Sequence, residues 1–161
     1  MDLLIACWNT TPANRIKKLP RLGCSEMDRF TRQSRYTYIA PMSRNKQTVE
    51  KYMHSYSALD HEEILSCLTD DVEWILPGAF HLKGKTAFAE EIDGHGCYEG
   101  KPEIVVRHMW EENDTVIAEG KVKTTKKGGE ILFLAFCDIF DMQDQKIRRL
   151  TSYLMPESES A

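Results

Sequence analysis

The chain has 161 residues, of which 42% are hydrophobic and 29% are charged, so it can bury one core without disulfides or metals. Its formal charge of -4 argues against a general polyanion binder, and we expect no nucleic acid partner. No apolar run approaches the ~20 residues that a membrane span requires, so we expect no membrane partner.

The first 41 residues differ in charge from the rest. They contain seven basic and three acidic residues, a net charge of +4, which leaves a net charge of -8 for residues 42–161. Such a leader is typical of an organelle transit segment, of a disordered extension, or of an upstream start codon with the natural start at Met42. We favour the last two, and predict a cytoplasmic protein with one domain at residues 42–156 and a disordered tail at 157–161.

The cysteines are five in number and include no CxxC pair. An odd count without that spacing predicts free thiols in a reducing compartment, and it predicts neither a disulfide framework nor a zinc site. We accordingly expect no metal site on the cysteines.

The first elements of the domain have helical spacing. Ser43 or Asn45 is a suitable cap for a helix that runs to about Leu59, whose apolar residues form one stripe. Asp60 and Glu63 have the spacing of a capping box, which predicts a second short helix that includes Leu68 and ends at Asp70-Asp71. The stripe of the first helix consists of Val49, Tyr52, Met53, Tyr56 and Leu59.

Strand-forming segments dominate the remainder. Residues 72–76 read as a short strand that Pro77-Gly78 stops, and a loop leads to a third helix from Lys85 to about Asp93. Four further strands are predicted at 103–110, 115–124, 130–141 and 146–154. The short turns between them require antiparallel neighbours, so the fold class is α+β.

One of these strands is apolar at every position from Ile131 to Cys137. A sheet with one solvated face alternates apolar and polar residues, so this strand is predicted to be buried on both faces. The helices can cover only one face. We therefore expect a homodimer that forms through the outer face of the sheet.

The order helix, helix, short strand, Pro-Gly, helix and meander resembles the SnoaL-like and ketosteroid-isomerase-like superfamily, which shares the nuclear transport factor 2 fold. The resemblance covers residues 44–154 and implies a cone-shaped, curved antiparallel sheet that wraps around three N-terminal helices and encloses an apolar pocket. It depends on four features taken in order: Tyr52, Leu68-Thr69-Asp70-Asp71, Gly84-Lys85, and Asp138-Ile139-Phe140 ahead of Gln145-Lys146-Ile147.

The ketosteroid isomerases hold an enolate with a tyrosine and a protonated aspartic acid, while a second aspartate moves the proton. The resemblance places Tyr52 at the tyrosine and Asp138 at the oxyanion acid, a position similar to that of the acid/base aspartate of SnoaL-type cyclases. Because Asp138 lies in an apolar strand, burial is expected to raise its pKa and favour the neutral, hydrogen-donating form.

The sequence departs from the family pattern at the proton-moving aspartate, where Leu76 stands, so ketosteroid isomerisation by the family mechanism is not expected. A histidine, His81 or His108, is the predicted replacement for the missing base. Epoxide hydrolases of this fold need an arginine and two aspartates. Their chemistry is disfavoured as well, because the matching positions are Gly120, Val122 and Ser152.

Two functions stay open at this point. The first is a cofactor-independent cyclase, isomerase or dehydratase in which Tyr52 and Asp138 act on a small carbonyl compound. The second is a non-catalytic small-molecule-binding or dimeric adaptor module. The structural alternatives are that Tyr52 is only a core residue and that Asp138 caps a turn or pairs with Arg148 or Arg149. In either function we expect the pocket to be lined by Tyr56, Trp74, Leu76, Phe80, Phe88, Phe136 and Ser152.

Overall fold

The computed structural model describes residues 42–92 and 97–157, which belong to the second of two units, residues 1–41 and 42–161. The predicted N-terminal extension and residues 158–161 of the predicted tail lie outside the described residues. No described helix is long and apolar enough to cross a membrane. The elements in chain order are α1 (Arg44–Ala58), α2 (His61–Ser66), β1 (Leu68–Leu76), β2 (Phe80–Lys83), α3 (Lys85–Glu91), β3 (Tyr98–Glu112), β4 (Thr115–Lys126), β5 (Ile131–Gln143) and β6 (Lys146–Pro156).

The first two helices begin at the caps that the sequence predicts. The Ser43 side chain accepts a hydrogen bond from the Lys46 backbone N–H at 3.1 Å, and the Asp60 side chain accepts one from the Glu63 N–H at 3.0 Å. The second helix is shorter than predicted. It ends at Ser66, and Leu68 begins a strand instead of extending the helix to Asp70-Asp71.

One mixed sheet contains all six strands, in the order β2-β1-β6-β5-β4-β3. The three hairpins between β3 and β6 are antiparallel, as their short turns predict. Unlike the wholly antiparallel sheet expected, β1 runs parallel to β6, with Trp74 opposite Leu150. Residues 80–83, expected to be a loop, form β2 against β1.

The core lies between the helices and the inner face of the sheet. Even-numbered residues of β5 point inward, and Phe136 and Phe140 are 4% and 0% exposed. The helices contribute Val49 and Met53 from α1 and Phe88 from α3 to the same cluster. Full burial of one such side chain stabilises the fold by about 1.5–3 kcal/mol, so the helices are held mainly by this face.

Glu111 anchors the start of α1 to β3. Its carboxylate accepts hydrogen bonds from the Ser43 hydroxyl and, at 3.1 Å, from the Asn45 side-chain amide. Because the first N–H groups of a helix are unsatisfied and carry partial positive charge, a carboxylate at this end is favourable. The contact fixes where α1 begins over the sheet, and therefore where Tyr52 lies two turns later.

Gly120 on β4 has no room for a side chain between β3 and Phe136. A β-carbon there would lie 2.0 Å from the Val105 carbonyl oxygen and 2.8 Å from the Phe136 ring. The pairing of β3 with β4 is irregular next to this position, between Val106 and His108. Only glycine fits, so the arginine that epoxide hydrolases of this fold would need here has no room.

The outer face of the sheet has an ionic part and an apolar part. In the ionic part, Arg149 lies 3.8 Å from Asp141 and 3.5 Å from Glu73. In the apolar part, large side chains are open to solvent, and the ion pairs of Lys121 with Glu157 and of Lys123 with Glu103 lie among them. These exposed side chains are Val105, Trp110, Ile131, Phe133, Tyr153 and Met155.

Candidate functional site

Asp138 lies at the middle of the inner face of the sheet. On β5 it is paired with Ala118 of β4 on one side and with Ser152 of β6 on the other, and both partners are buried. Its Oδ1 atom is enclosed and has no hydrogen-bond partner, although the residue as a whole keeps part of its surface. An enclosed oxygen without a donor is costly to a folded protein, and it marks a place where a ligand atom would be stabilised.

Burial raises the pKa of Asp138 from 3.8 to about 7. The Ser152 hydroxyl on the neighbouring strand opposes this shift, because a hydrogen bond to the carboxylate favours the charged form. At neutral pH the carboxyl group is therefore close to half-protonated. A group in that condition can both accept and return a proton.

Tyr52 reaches the same interior region from α1. It is 2% exposed, and its ring packs edge-on against Phe140 and Phe88 at centroid distances of 5.7 and 6.4 Å. Burial raises its pKa well above the ordinary value, and the nearby Tyr56 and Asp138 raise it further. The phenol consequently keeps its proton at neutral pH, and it lies close enough to Asp138 to sense its charge.

Four of the predicted pocket residues form an aromatic cluster beside these two groups. The Trp74 ring stacks on Phe88 at 4.6 Å and meets Phe80 and Tyr56 edge-on at 5.2 and 6.3 Å. Leu76 follows on the same strand and is opposite Phe80. The cluster gives the inner face near β1 a rigid apolar wall.

Trp74 and Ser152 form a polar contact within this wall. The Trp74 indole N–H donates a hydrogen bond to Ser152 Oγ at 3.2 Å. The sequence predicts both residues as parts of the pocket, but not this bond. No local signal could reveal it, because it depends on the parallel pairing of β1 with β6.

The two histidines predicted as replacement bases lie on the outer face, so that prediction is corrected. His81 pairs with Glu73 at 2.9 Å, and His108 pairs with Glu119 at 2.6 Å. Successive residues of a strand point to opposite faces, and Glu119 is the neighbour of the inward-facing Ala118. Neither histidine can therefore exchange a proton with a molecule bound at Asp138.

The alternative partners of Asp138 are also elsewhere. Arg148 and Arg149 both lie next to Asp141, at 4.0 and 3.8 Å, on the outer face. Cys137 points to that face as well, opposite Glu119 and Tyr153, as the pleat predicts. Within residues 42–92 and 97–157, no three His, Cys, Asp or Glu side chains are grouped as a metal site.

The chain matches the model of a known protein family. Residues 49–150 match the sequence profile of the SnoaL-like domain, which is more than half of the chain. No curated protein matches the chain.

Three similar solved structures illustrate the fold. An NTF2-like protein of unknown function from Burkholderia pseudomallei has a TM-score of 0.67 and 17% identity, with 71% of this chain and 92% of that chain covered. TerC, co-crystallised with polyporic acid, has a TM-score of 0.65 and 24% identity over 70% and 92%. An LEH-like epoxide hydrolase from M. tuberculosis has a TM-score of 0.62 and 16% identity over 70% and 83%. At these identities the likeness shows the fold alone.

Proposed function

This chain belongs to the SnoaL-like domain family, and from that premise we propose that the inner face of its sheet binds a small, mostly apolar molecule that contains a carbonyl group. Asp138 and Tyr52 are the polar groups of the proposed site, and the aromatic cluster around Trp74 is its apolar wall. Small-molecule sites commonly combine apolar lining with a few fixed polar groups, and this composition supports the proposal.

The observation that carries the proposal is the enclosed, unpartnered Oδ1 of Asp138. A native protein rarely leaves a buried polar atom without a partner, because desolvation of that atom costs about 1–3 kcal/mol. A ligand that supplies a hydrogen bond at this point would recover that free energy. TerC, of the same fold, was co-crystallised with polyporic acid, and this supports a small organic molecule as the ligand class.

The proposed reaction uses Asp138 as the acid and the base in turn. Its carboxylate removes a proton from the carbon next to the carbonyl. The electron pair of that C–H bond forms a carbon–carbon double bond, and the π pair of the carbonyl moves onto its oxygen. The Tyr52 hydroxyl donates a hydrogen bond to the resulting enolate oxygen; a fixed donor of this kind lowers such a barrier by about 3 kcal/mol. The proton then returns from Asp138 to another carbon, or the enolate carbon attacks a second carbonyl of the same molecule and the proton goes to the new alkoxide.

This assignment differs from a two-aspartate isomerase, because Leu76 takes the place of the second acid. It also differs from epoxide hydrolysis, the activity named for the M. tuberculosis relative, because Gly120, Val122 and Ser152 cannot supply an arginine and two aspartates. One carboxyl group with a pKa of about 7 is suited to both halves of a proton transfer at neutral pH.

The second candidate function is a non-catalytic binding module. It is favoured by the residues next to Asp138 on the inner face, which are Met109, Ala118, Ser152 and, one row away, Gly120 and Phe136. None of these side chains titrates in the physiological range. In this case Asp138 would only orient the ligand, and no proton would move.

Proton exchange in D2O separates the two functions without knowledge of the natural substrate. The full-length protein is incubated with 2-tetralone, and loss of the α-proton signals is followed by NMR. We expect wild type and Asp141→Asn, a variant on the same strand but the other face, to accelerate exchange, whereas Asp138→Asn does not. Binding of 4-nitrophenol, read from its absorbance, measures occupancy independently.

The outcomes divide clearly. Exchange that depends on Asp138 supports the enzyme, and binding of the probe that Asp138→Asn weakens, without exchange in either protein, supports the binding module. Equal binding and equal exchange in wild type and Asp138→Asn would contradict a ligand site at Asp138 in either form.

The outer face is proposed as the interface of a homodimer. Its apolar part combines Trp110, Tyr153 and Met155 at 53%, 44% and 52% exposure with the half-buried Cys137. An exposed apolar surface on a soluble domain marks an interaction site, and a twofold contact would place the same surface of a second copy against it. The inner-face site would remain on the opposite side of the sheet in each copy.

A further inference from the structure

The Trp74 side chain is held in one orientation by its aromatic neighbours. Phe88 lies parallel to the indole, with an interplanar angle of 25°, and Phe80 and Tyr56 meet it at 84° and 85°. Rotation of the indole would break all three contacts. The direction of its N–H group is therefore fixed by packing, and that group points at Ser152 Oγ.

A fixed donor on one side of Ser152 restricts its hydroxyl hydrogen. The oxygen accepts the Trp74 N–H with a lone pair, so its own O–H must point away from the indole. Ser152 is 4% exposed, and its direct partner across the strand pair is Asp138. Side chains that are directly opposite on one sheet face have β-carbons about 4.5–5.5 Å apart, which is within reach of a hydroxyl and a carboxylate.

We infer that Trp74 and Ser152 are positioning residues that hold the Asp138 carboxylate by a directed hydrogen-bond chain, indole N–H to hydroxyl to carboxylate, and keep its Oδ1 free for the ligand. Because Oδ1 has no partner, we assign the Ser152 hydroxyl to Oδ2. The carboxylate is then oriented by one oxygen and reactive through the other. The inference rests on the proposed function only in the claim that a ligand binds at Asp138.

The chain also sets the proton affinity of Asp138. Ser152 favours the carboxylate and so opposes the rise in pKa that burial causes. A second donor behind the hydroxyl polarises it and strengthens its hydrogen bond to the charge. Tyr52 is the titratable side chain that faces Asp138 from the helices, and it keeps its proton at neutral pH. The hydrogen-bond chain of Trp74 and Ser152 is therefore the local group that stabilises the ionised form of Asp138.

The test is the pKa of Asp138 in the full-length, ligand-free protein, measured by NMR of 13C-labelled aspartate carboxyl carbons. Ser152→Ala should raise the pKa by about 1, because a hydrogen bond to a charged group is worth about that much. Trp74→Phe keeps an aromatic ring but removes the N–H, and should raise it less. Ser152→Thr retains the hydroxyl and should leave the Asp138 pKa at its wild-type value.

Two features make the test specific for a chain. If Trp74 acts through Ser152, the double variant should match Ser152→Ala, whereas independent effects would add. Thr151→Ala and Trp110→Phe are matched controls on the outer face and should leave the Asp138 pKa unchanged.

An Asp138 pKa that Ser152→Ala leaves unaltered, or that Trp74→Phe leaves unaltered, would overturn the inference. Should Ser152→Ala not fold, Trp74→Phe alone decides: a raised pKa supports the chain, and an unchanged one refutes it. The measurement involves no ligand or turnover, so its failure is distinguishable from failure of the proposed function, which the exchange experiment tests.

Discussion

Trp74 on β1 and Ser152 on β6 are joined by a 3.2 Å hydrogen bond across the parallel strand pair of the sheet. The bond connects the aromatic wall of the proposed site to β6, the strand that pairs with β5 at Asp138. It makes the position of β1 in the sheet a requirement of the site as well as of the fold. Changes that loosen the β1–β6 pairing should therefore affect Asp138 before they unfold the domain.

Asp138→Asn should alter how stability depends on pH. The folded-state pKa of about 7 exceeds the ordinary 3.8, so the folded protein binds this proton more tightly than the unfolded chain. Below about pH 4 both states hold the proton and burial of Asp138 costs nothing extra. As the pH rises from 4 to 7, ionisation of Asp138 stabilises the unfolded chain more than the folded protein. Above pH 7 the resulting loss in the free energy of unfolding stays at about 4 kcal/mol.

Urea denaturation from pH 4 to pH 8 measures this effect. The stability of Asp138→Asn relative to wild type should increase through that interval and then level off. Asp141→Asn retains Asp138 and should keep the decline that wild type shows. Parallel curves for Asp138→Asn and wild type would show that Asp138 is ionised in the ordinary range.

Gly120→Ala should be strongly destabilising. The added β-carbon would lie 2.0 Å from a backbone oxygen, which cannot move without shifting β3 against β4. Overpacking of this kind costs about 1–3 kcal/mol, and a backbone clash places this variant at the upper end. Gly128→Ala is the control: its β-carbon meets nothing within 4 Å, and only the positive φ of 102° is unfavourable. An equal loss for the two variants in urea denaturation would contradict the close approach at Gly120.

Tyr153→Glu should convert a dimer into a monomer. The side chain is 44% exposed within one chain, so the substitution leaves the core intact but introduces a charge into the proposed interface. Sedimentation velocity should give the monomer mass for this variant and the dimer mass for wild type. Thr86→Glu, which adds the same charge at an exposed position of α3, should remain dimeric. A monomeric wild type, or a dimeric Tyr153→Glu, would contradict an interface on this face.

Glu111→Ala should loosen the start of α1. The change removes the carboxylate that accepts from Ser43 and Asn45, and we expect a loss of about 1–2 kcal/mol in the free energy of unfolding. Hydrogen exchange should show faster opening of the first turn of α1. Glu112→Ala changes the exposed neighbour and should have little effect on either measurement. Equal effects of the two substitutions would mean that Glu111 does not anchor the helix.

Features set by near neighbours in the chain could be predicted from the sequence. The caps Ser43 and Asp60 and the antiparallel hairpins depend on residues a few positions apart, and these predictions are confirmed. The family and the α+β class are confirmed as well, because the order of the elements is itself a sequence property.

Features set by pairing between distant segments could not be predicted. The short strand β2 contains the polar residues His81 and Lys83, and its strand partner is the distant β1. The face to which His81 or His108 points depends on register, and a shift of one residue reverses it. The Trp74–Ser152 bond requires a parallel neighbour that lies far along the chain.

The most direct test of the account is the protonation state of Asp138 in the wild-type protein at neutral pH. Infrared difference spectra between wild type and Asp138→Asn isolate the C=O stretch of its protonated carboxyl group. We predict that this band is strong at pH 6 and disappears with a midpoint near pH 7. A band already absent at pH 6, with a midpoint near 4, would mean an ordinary solvated carboxylate, and the acid–base role proposed for Asp138 would be contradicted.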